Sequence, residues 1–169
     1  MKKIFLSIVV LAAVVALPGR VMAVDIIAPA DAKAKIIVPI QLTNSNSLDF
    51  GTISTSATAG TVILTSAGES SITGGVTLLN STKTAASFTV TGLASATYTV
   101  TLPAAAATLK DVETSTYTMT VDTWTNSTAG TLSSPGGTQD FTVGGTLHVG
   151  ADQGAGTYKG TFNVTVAYN

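Results

Sequence analysis

Apolar and polar residues alternate with a period of two along most of this chain, and no other feature constrains its fold as strongly. Successive side chains of a strand point to opposite faces, so such alternation is typical of half-buried antiparallel strands with threonine outside. Five runs carry the pattern, with apolar positions at Phe88 and Val90; Tyr98, Val100 and Leu102; Tyr117, Met119 and Val121; Phe141, Val143, Leu147 and Val149; and Tyr158, Phe162, Val164, Val166 and Tyr168.

Turn-forming residues separate these runs, for example at 74–75, 133–137 and 152–156. Glycine permits positive φ and proline fixes φ, so such clusters end strands. Eight or nine short strands joined by turns predict an all-β, immunoglobulin-like (pilin-like) antiparallel β-sandwich with an extended N-terminal segment. A closed barrel is the alternative. Weaker patterns predict strands at 48–53, 61–65 and 72–79, and at most one helical turn at 104–109.

The apolar phase of the runs also predicts the core. Trp124 closes the run that begins at Tyr117 but lies one position out of phase, so we expect a bulge or a strand end beside it. The residues that we expect to be largely buried are Phe88, Tyr98, Val100, Met119, Val121, Phe141, Phe162, Val164 and Val166.

The first 23 residues have the three parts of a secretory signal peptide. Lys2 and Lys3 supply positive charge, residues 4–17 form an uncharged apolar run, and residues 21–23 place small side chains at −3 and −1. A membrane anchor is the rival interpretation, but this run is shorter than the ~20 apolar residues that a spanning helix needs. The predicted organisation is a signal peptide at 1–23, an N-terminal extension and possible donor strand at 24–38, and a β-sandwich domain at 39–169.

Export with cleavage after Ala23 is the first testable prediction. N-terminal sequencing of periplasmic or secreted material should begin at Val24, and a mature protein that begins at Met1 would contradict it.

The predicted mature chain carries little charge, and most of it is negative. Loss of the leader lowers Lys plus Arg from 8 to 5 while Asp plus Glu stays at 9, so the formal charge moves from −1 to −4. No arginine remains after Arg20. Nucleic acid is therefore not an expected partner, because binding it needs clustered basic residues. The chain has no cysteine, so packing and backbone pairing must supply its stability.

The residues that could carry chemistry are few. His148 is the single histidine, and its phase places it on the threonine face of its strand. We therefore expect its side chain to be exposed and to bind no metal. Asp111, Glu113 and Asp122 are interpreted as solvated surface carboxylates. No nucleophile elbow, phosphate loop or calcium loop is visible. We therefore predict no catalytic residue, no metal site, no cofactor and no small-molecule substrate; the protein is predicted not to be an enzyme.

The C-terminal end has a more specific pattern. Residues 156–169 read as one long alternating strand that runs to the last residue, with Tyr168 penultimate and Gly156 fourteenth from the end. This segment resembles the C-terminal strand of chaperone–usher pilins; an ordinary final sandwich strand is the alternative. The resemblance implies an acceptor strand formed by Gly156, Tyr158, Phe162, Val164, Val166 and Tyr168.

The N-terminal extension strengthens that resemblance, because every even position from Val24 to Leu42 is apolar. Pilins carry such an extension as a donor strand for the next subunit, which implies a donor interface of Val24, Ile26, Ile36 and Val38. The strings at 48–53 and 141–147 are similar to a bacterial secreted family labelled a domain of unknown function, near the pilins and spore-coat-type adhesins.

These resemblances imply a structural subunit of a bacterial cell-surface fibre, fimbria-like and adhesive, assembled by donor-strand exchange. The implied partners are other copies or related subunits, with a possible periplasmic chaperone and outer-membrane usher. The implied route is export through the periplasm to the surface. The alternative is a non-polymerising secreted or surface-coat β-sandwich protein, and pairing of the extension in cis or in trans stays open.

Overall fold

The structure, a computed structural model, describes residues 24–127 and 130–169, and it is all β there; the predicted signal peptide lies outside these residues. The chain divides into two compact units, and the boundary lies between Lys35 and Ile36. The described residues form twelve strands: β1 Gln41–Asn46, β2 Ile53–Ser54, β3 Gly60–Leu64, β4 Ser70–Gly74, β5 Thr77–Leu78, β6 Ala86–Thr91, β7 Tyr98–Thr101, β8 Ala107–Asp111, β9 Thr118–Asn126, β10 Thr138–Val149, β11 Tyr158–Lys159 and β12 Thr165–Tyr168.

The longest strand, β10, organises the main antiparallel sheet. The sheet runs in the order β1-β6-β10-β9-β8-β11, and β3 and β4 extend it from the second half of β10. Residues 138–143 of β10 pair with β6, whereas residues 145–149 pair with β3. Glycine at position 144, where the neighbour changes, is required sterically, because a Cβ there would overlap the Leu64 carbonyl oxygen.

Two small sheets, β7–β12 and β2–β5, complete the fold. The buried side chains form two clusters, and β10 contributes to both. Core 1 contains Phe50, Val62, Leu64, Val76, Val121, Leu147 and Val149, and core 2 contains Ala86, Phe88, Val90, Tyr98, Leu132, Phe141 and Val143.

Aromatic rings fix the centre of core 2. Phe88 and Phe141 lie directly opposite each other on β6 and β10, and their rings stack with centroids 5.3 Å apart. The Phe162 ring makes a T-shaped contact with Phe88, with centroids 6.4 Å apart, and stacks on Trp124, with centroids 4.5 Å apart. Such pairs contribute about 0.5–1.5 kcal/mol beyond the area that they bury.

The predicted all-β sandwich-like fold is confirmed, and so is the irregularity beside Trp124. The β9–β10 register shifts between Gly144 and Thr146, and Thr123 adopts a φ of 50°. Two residues of β9, Thr123 and Trp124, therefore oppose one residue of β10, which is a β-bulge. This extra residue explains why Trp124 falls out of phase with Tyr117.

Three sequence predictions are wrong in detail. Residues 104–109 form no helical turn, because residues 107–110 pair with β9 instead. Residues 156–169 are not one strand: β11 pairs with β8, and after a break β12 pairs with β7. The predicted core is partly shallower than expected, since Phe88, Tyr98, Val121 and Phe141 are buried but the other five are half-buried, namely Val100, Met119, Phe162, Val164 and Val166.

Candidate functional site

The C-terminal residues cross from one core to the other. Tyr158 pairs with Asp111 on β8, and Tyr168 pairs with Tyr98 on β7. Gly156 is exposed, while each apolar side chain predicted for the acceptor strand is half-buried: Tyr158, Phe162, Val164, Val166 and Tyr168. Among the described residues β12 pairs only with β7, so its second edge carries unpaired backbone groups.

A cleft of about 720 Å³ opens over core 1. Residues 48–55 form one wall and residues 153–158 form the other; we call it the side cleft. Its volume lies within the ~300–1,000 Å³ typical of ligand-binding sites. Its floor is apolar and consists of Leu109, Met119, Leu147 and Val149.

The walls of the side cleft meet at one end. The Asp152 N–H donates to the Ser56 carbonyl at 2.9 Å, and the Thr55 hydroxyl donates to the Gln153 carbonyl at 3.4 Å. Two further interactions use the polar side chains of the 153–158 wall: the Tyr158 hydroxyl donates to the Gly154 carbonyl at 2.6 Å and accepts from Gln153 at 2.9 Å. The first two of these hydrogen bonds hold the two walls together at that end of the cleft, above its apolar floor.

Among the described residues, Asp111 is charged and yet buried, with 3% of its surface exposed. The interpretation of Asp111 as a solvated surface carboxylate is therefore wrong. Its carboxylate accepts the Thr114 hydroxyl and N–H, which closes the turn after β8. These hydrogen bonds, the Thr114 hydroxyl foremost, lower the pKa of Asp111. Gly156 lies against the same carboxylate, so a residue with a Cβ at this position would crowd it.

Gly156→Ala should destabilise the domain by about 1–3 kcal/mol, the usual cost when an added methyl group forces its neighbours to shift, because Thr114 holds the adjacent Asp111 carboxylate in place. A Cβ at 156 would lie 2.5 Å from Asp111 Oδ1. Thermal unfolding measures the effect. Gly150→Ala is the matched control, because its Cβ would meet only the flexible end of Gln153, at 3.1 Å. Equal unfolding temperatures for the two variants would contradict the steric account.

Thr114→Val should make the domain more sensitive to acid. A carboxyl with a lowered pKa in the folded state stabilises the fold above its unfolded pKa of about 4, and that stability is lost as the pH falls through the folded pKa. Without the Thr114 hydroxyl the pKa of Asp111 rises, so the midpoint of acid unfolding should move to higher pH. Circular dichroism during an acid titration checks this, with Thr116→Val as the control. Identical midpoints for the two variants would contradict the assignment.

His148 is exposed, as predicted, but it has a partner that the sequence did not reveal. Its Nε2 lies 2.7 Å from Asp122 Oδ1 on the neighbouring strand. Hydrogen bonds from His148 and then from Thr123 lower the pKa of Asp122. The pair forms because residue 146 lies opposite Asp122 and places His148 diagonally across from it. No cluster of three or more metal-ligating side chains occurs in residues 24–127 and 130–169.

The N-terminal extension is exposed throughout residues 24–39, and these residues belong to no strand. The predicted donor side chains are 79% exposed at Val24, 92% at Ile26, 96% at Ile36 and 53% at Val38. Within the part of the chain that the structure covers, no helix is long and apolar enough to span a membrane.

The hydroxyl of Tyr168, which packs against core 2, connects three segments of the chain. It donates to the Val38 carbonyl at 2.8 Å and accepts from the Leu93 N–H at 2.7 Å. The sequence singled out Tyr168 through its penultimate position, but it gave no sign of either partner, since both contacts depend on the fold.

Comparison with known proteins assigns the domain. The model of a family described as a domain of unknown function, DUF4402, matches residues 40–168. No curated protein and no solved structure matches the chain. The match covers well over half of the sequence, so the chain belongs to the DUF4402 family.

Proposed function

We propose that this protein is a structural subunit of a bacterial cell-surface fibre, in which residues 24–38 of one copy complete the side cleft of the next. The observation that carries the proposal is the presence, in one chain, of an apolar cleft between two wall segments and of an exposed alternating segment that belongs to no strand. The segment has apolar side chains that are not buried, and the cleft has an apolar floor on which they could be buried.

Strand addition suits both surfaces. An added strand supplies main-chain hydrogen bonds for affinity, and its alternate side chains enter pockets for specificity. Val24, Ile26, Ile36 and Val38 would each contribute about 1.5–3 kcal/mol on full burial. The alanines at 28, 30, 32 and 34 would contribute less, so the two ends of the donor dominate the contact.

The geometry of such a contact determines the kind of assembly. The donor segment and the acceptor cleft are different surfaces, so the contact is heterologous, and heterologous contacts that do not close into rings generate open filaments. We propose the cell surface as the site of the fibre, with adhesion as its role. An open apolar cleft is an aggregation hazard before assembly, so a periplasmic chaperone and an outer-membrane usher are proposed partners.

A peptide of residues 24–38 tests the proposal directly. The acceptor is the mature chain carrying Ile36→Asp, whose own segment is impaired as a donor. The peptide should raise the unfolding temperature in a concentration-dependent manner, because binding at 100 times Kd stabilises by about 2.7 kcal/mol. A peptide with Ile26→Asp and Ile36→Asp is the control. An equal shift with both peptides, or no shift with either, would overturn the proposal.

A non-polymerising secreted or coat protein is the competing function, and the composition of the extension favours it. Pro29 and Pro39 remove backbone donors that a strand paired on both edges would use, and the central alanines fill pockets poorly. In that case the peptide would not bind, and the mature chain would remain a monomer.

A further inference from the structure

We infer that the Tyr168 hydroxyl fixes the point from which the N-terminal segment leaves the domain, and thereby directs that segment to a second copy of the chain. This inference rests on the proposed function and concerns whether the segment pairs within its own chain or with a second copy. It assigns a positioning role to one hydroxyl group, which anchors the Val38 carbonyl and the Leu93 N–H together.

The anchor and the side cleft belong to different halves of the domain. Tyr168 packs against core 2 and pairs with β7, whereas Tyr158 lines the cleft and pairs with β8 over core 1. Neither Tyr168 nor Val38 is among the residues that line the cleft. From Val38 the chain also runs through β1 before it reaches the cleft wall at residue 48.

A segment that occupied its own cleft would therefore have to run back along the path that the chain takes from Val38 through β1 to residue 48. Pro39 disfavours the helical region for the residue before it, so Val38 itself is biased to an extended conformation. Residues 32–38 read Ala-Lys-Ala-Lys-Ile-Ile-Val and contain no glycine, proline, asparagine, aspartate or serine, the residues that form turns.

The first turn-forming residue before Val38 is Asp31. A reversal there leaves only residues 24–30 for the return, which is too short to pass Val38 and continue to residue 48. A reversal within residues 36–38 would displace the Val38 carbonyl from Tyr168. The anchor and the absence of turn-forming residues from positions 32–38 thus both oppose pairing in cis.

Cross-linking distinguishes the two arrangements, because the chain contains no cysteine of its own. Ile27→Cys labels the segment and Ser54→Cys labels the cleft wall, and a short flexible bismaleimide joins the two thiols in the mature chain. With Tyr168 present, the products should form an interchain ladder on a denaturing gel. Tyr168→Phe keeps the ring and removes both hydrogen bonds, so the ratio of intrachain to interchain product should rise at least tenfold.

A second variant tests the turn argument while Tyr168 is kept. Ala34→Asn with Lys35→Gly introduces an Asn-Gly turn, which favours a two-residue hairpin, and should also raise the intrachain product. An interchain ladder of equal strength in all three chains would overturn the inference but leave strand donation intact. Intrachain product alone in the chain with Tyr168 would overturn it too. No cross-link of either kind in any chain would overturn the proposed function itself.

Discussion

Ile26→Asp should abolish assembly of the mature chain into fibres, whereas Ile27→Asp should leave most of it intact. The two neighbours are almost equally exposed, at 92% and 87%, so neither substitution removes an internal contact of the folded domain. In a donated strand they point to opposite faces. Only Ile26 shares the phase of Val24, Ile36 and Val38, so only Ile26→Asp places a carboxylate against the apolar floor of the side cleft.

The size of this effect follows from the burial of a single side chain. Loss of a buried isoleucine costs about 1.5–3 kcal/mol, and each 1.4 kcal/mol changes an affinity tenfold, so the loss exceeds tenfold before the carboxylate is desolvated. Electron microscopy of surface material and the unfolding temperature of each purified variant measure assembly and folding separately. Equal loss of fibres in the two variants, or none in either, would contradict the predicted phase.

Phe141→Ala should have the largest effect on stability, lowering the free energy of unfolding by about 3–5 kcal/mol. Phe141 is 1% exposed at the centre of core 2, and its loss also removes the stacking contact with Phe88. Folded domains are stable by only about 5–15 kcal/mol, so the variant should be close to unfolding. Denaturant titration measures the difference.

Val112→Ala is the control for that substitution, because Val112 is 52% exposed and surface changes usually alter stability by less than about 0.5 kcal/mol. A Phe141→Ala variant as stable as Val112→Ala would mean that core 2 is not the packed centre of the domain.

Alternation allowed the central strands to be predicted from the sequence, because β6, β9 and β10 each bury one face against a core. It failed at β1, where the polar residues Thr43 to Asn46 pair with β6 but bury almost nothing. It also failed at the C-terminal end, where an unbroken apolar phase concealed a change of pairing partner from β8 to β7. Period two reports which face is buried, and it does not report which strand lies alongside.

The features of the site were still harder to predict. The side cleft joins residues about 100 positions apart, and its shape depends on where two loops meet at Ser56 and Asp152. Asp111 looked like a surface carboxylate because its partners, the Thr114 hydroxyl and N–H, become evident only when the turn is formed. The spacing from the chain end drew attention to Gly156 and Tyr168, whose role in an acceptor strand stays a prediction, and the contacts of both required the fold.

Light scattering of the mature chain, Val24 to Asn169, during size-exclusion chromatography tests the central claim most directly. If one copy donates residues 24–38 to the next, the molar mass should rise with concentration through multiples of the monomer mass, and Ile26→Asp should return it to that of a monomer. A monomer mass at every concentration, with the amides of residues 24–38 protected from hydrogen exchange, would mean that the segment pairs within its own chain and would contradict the account.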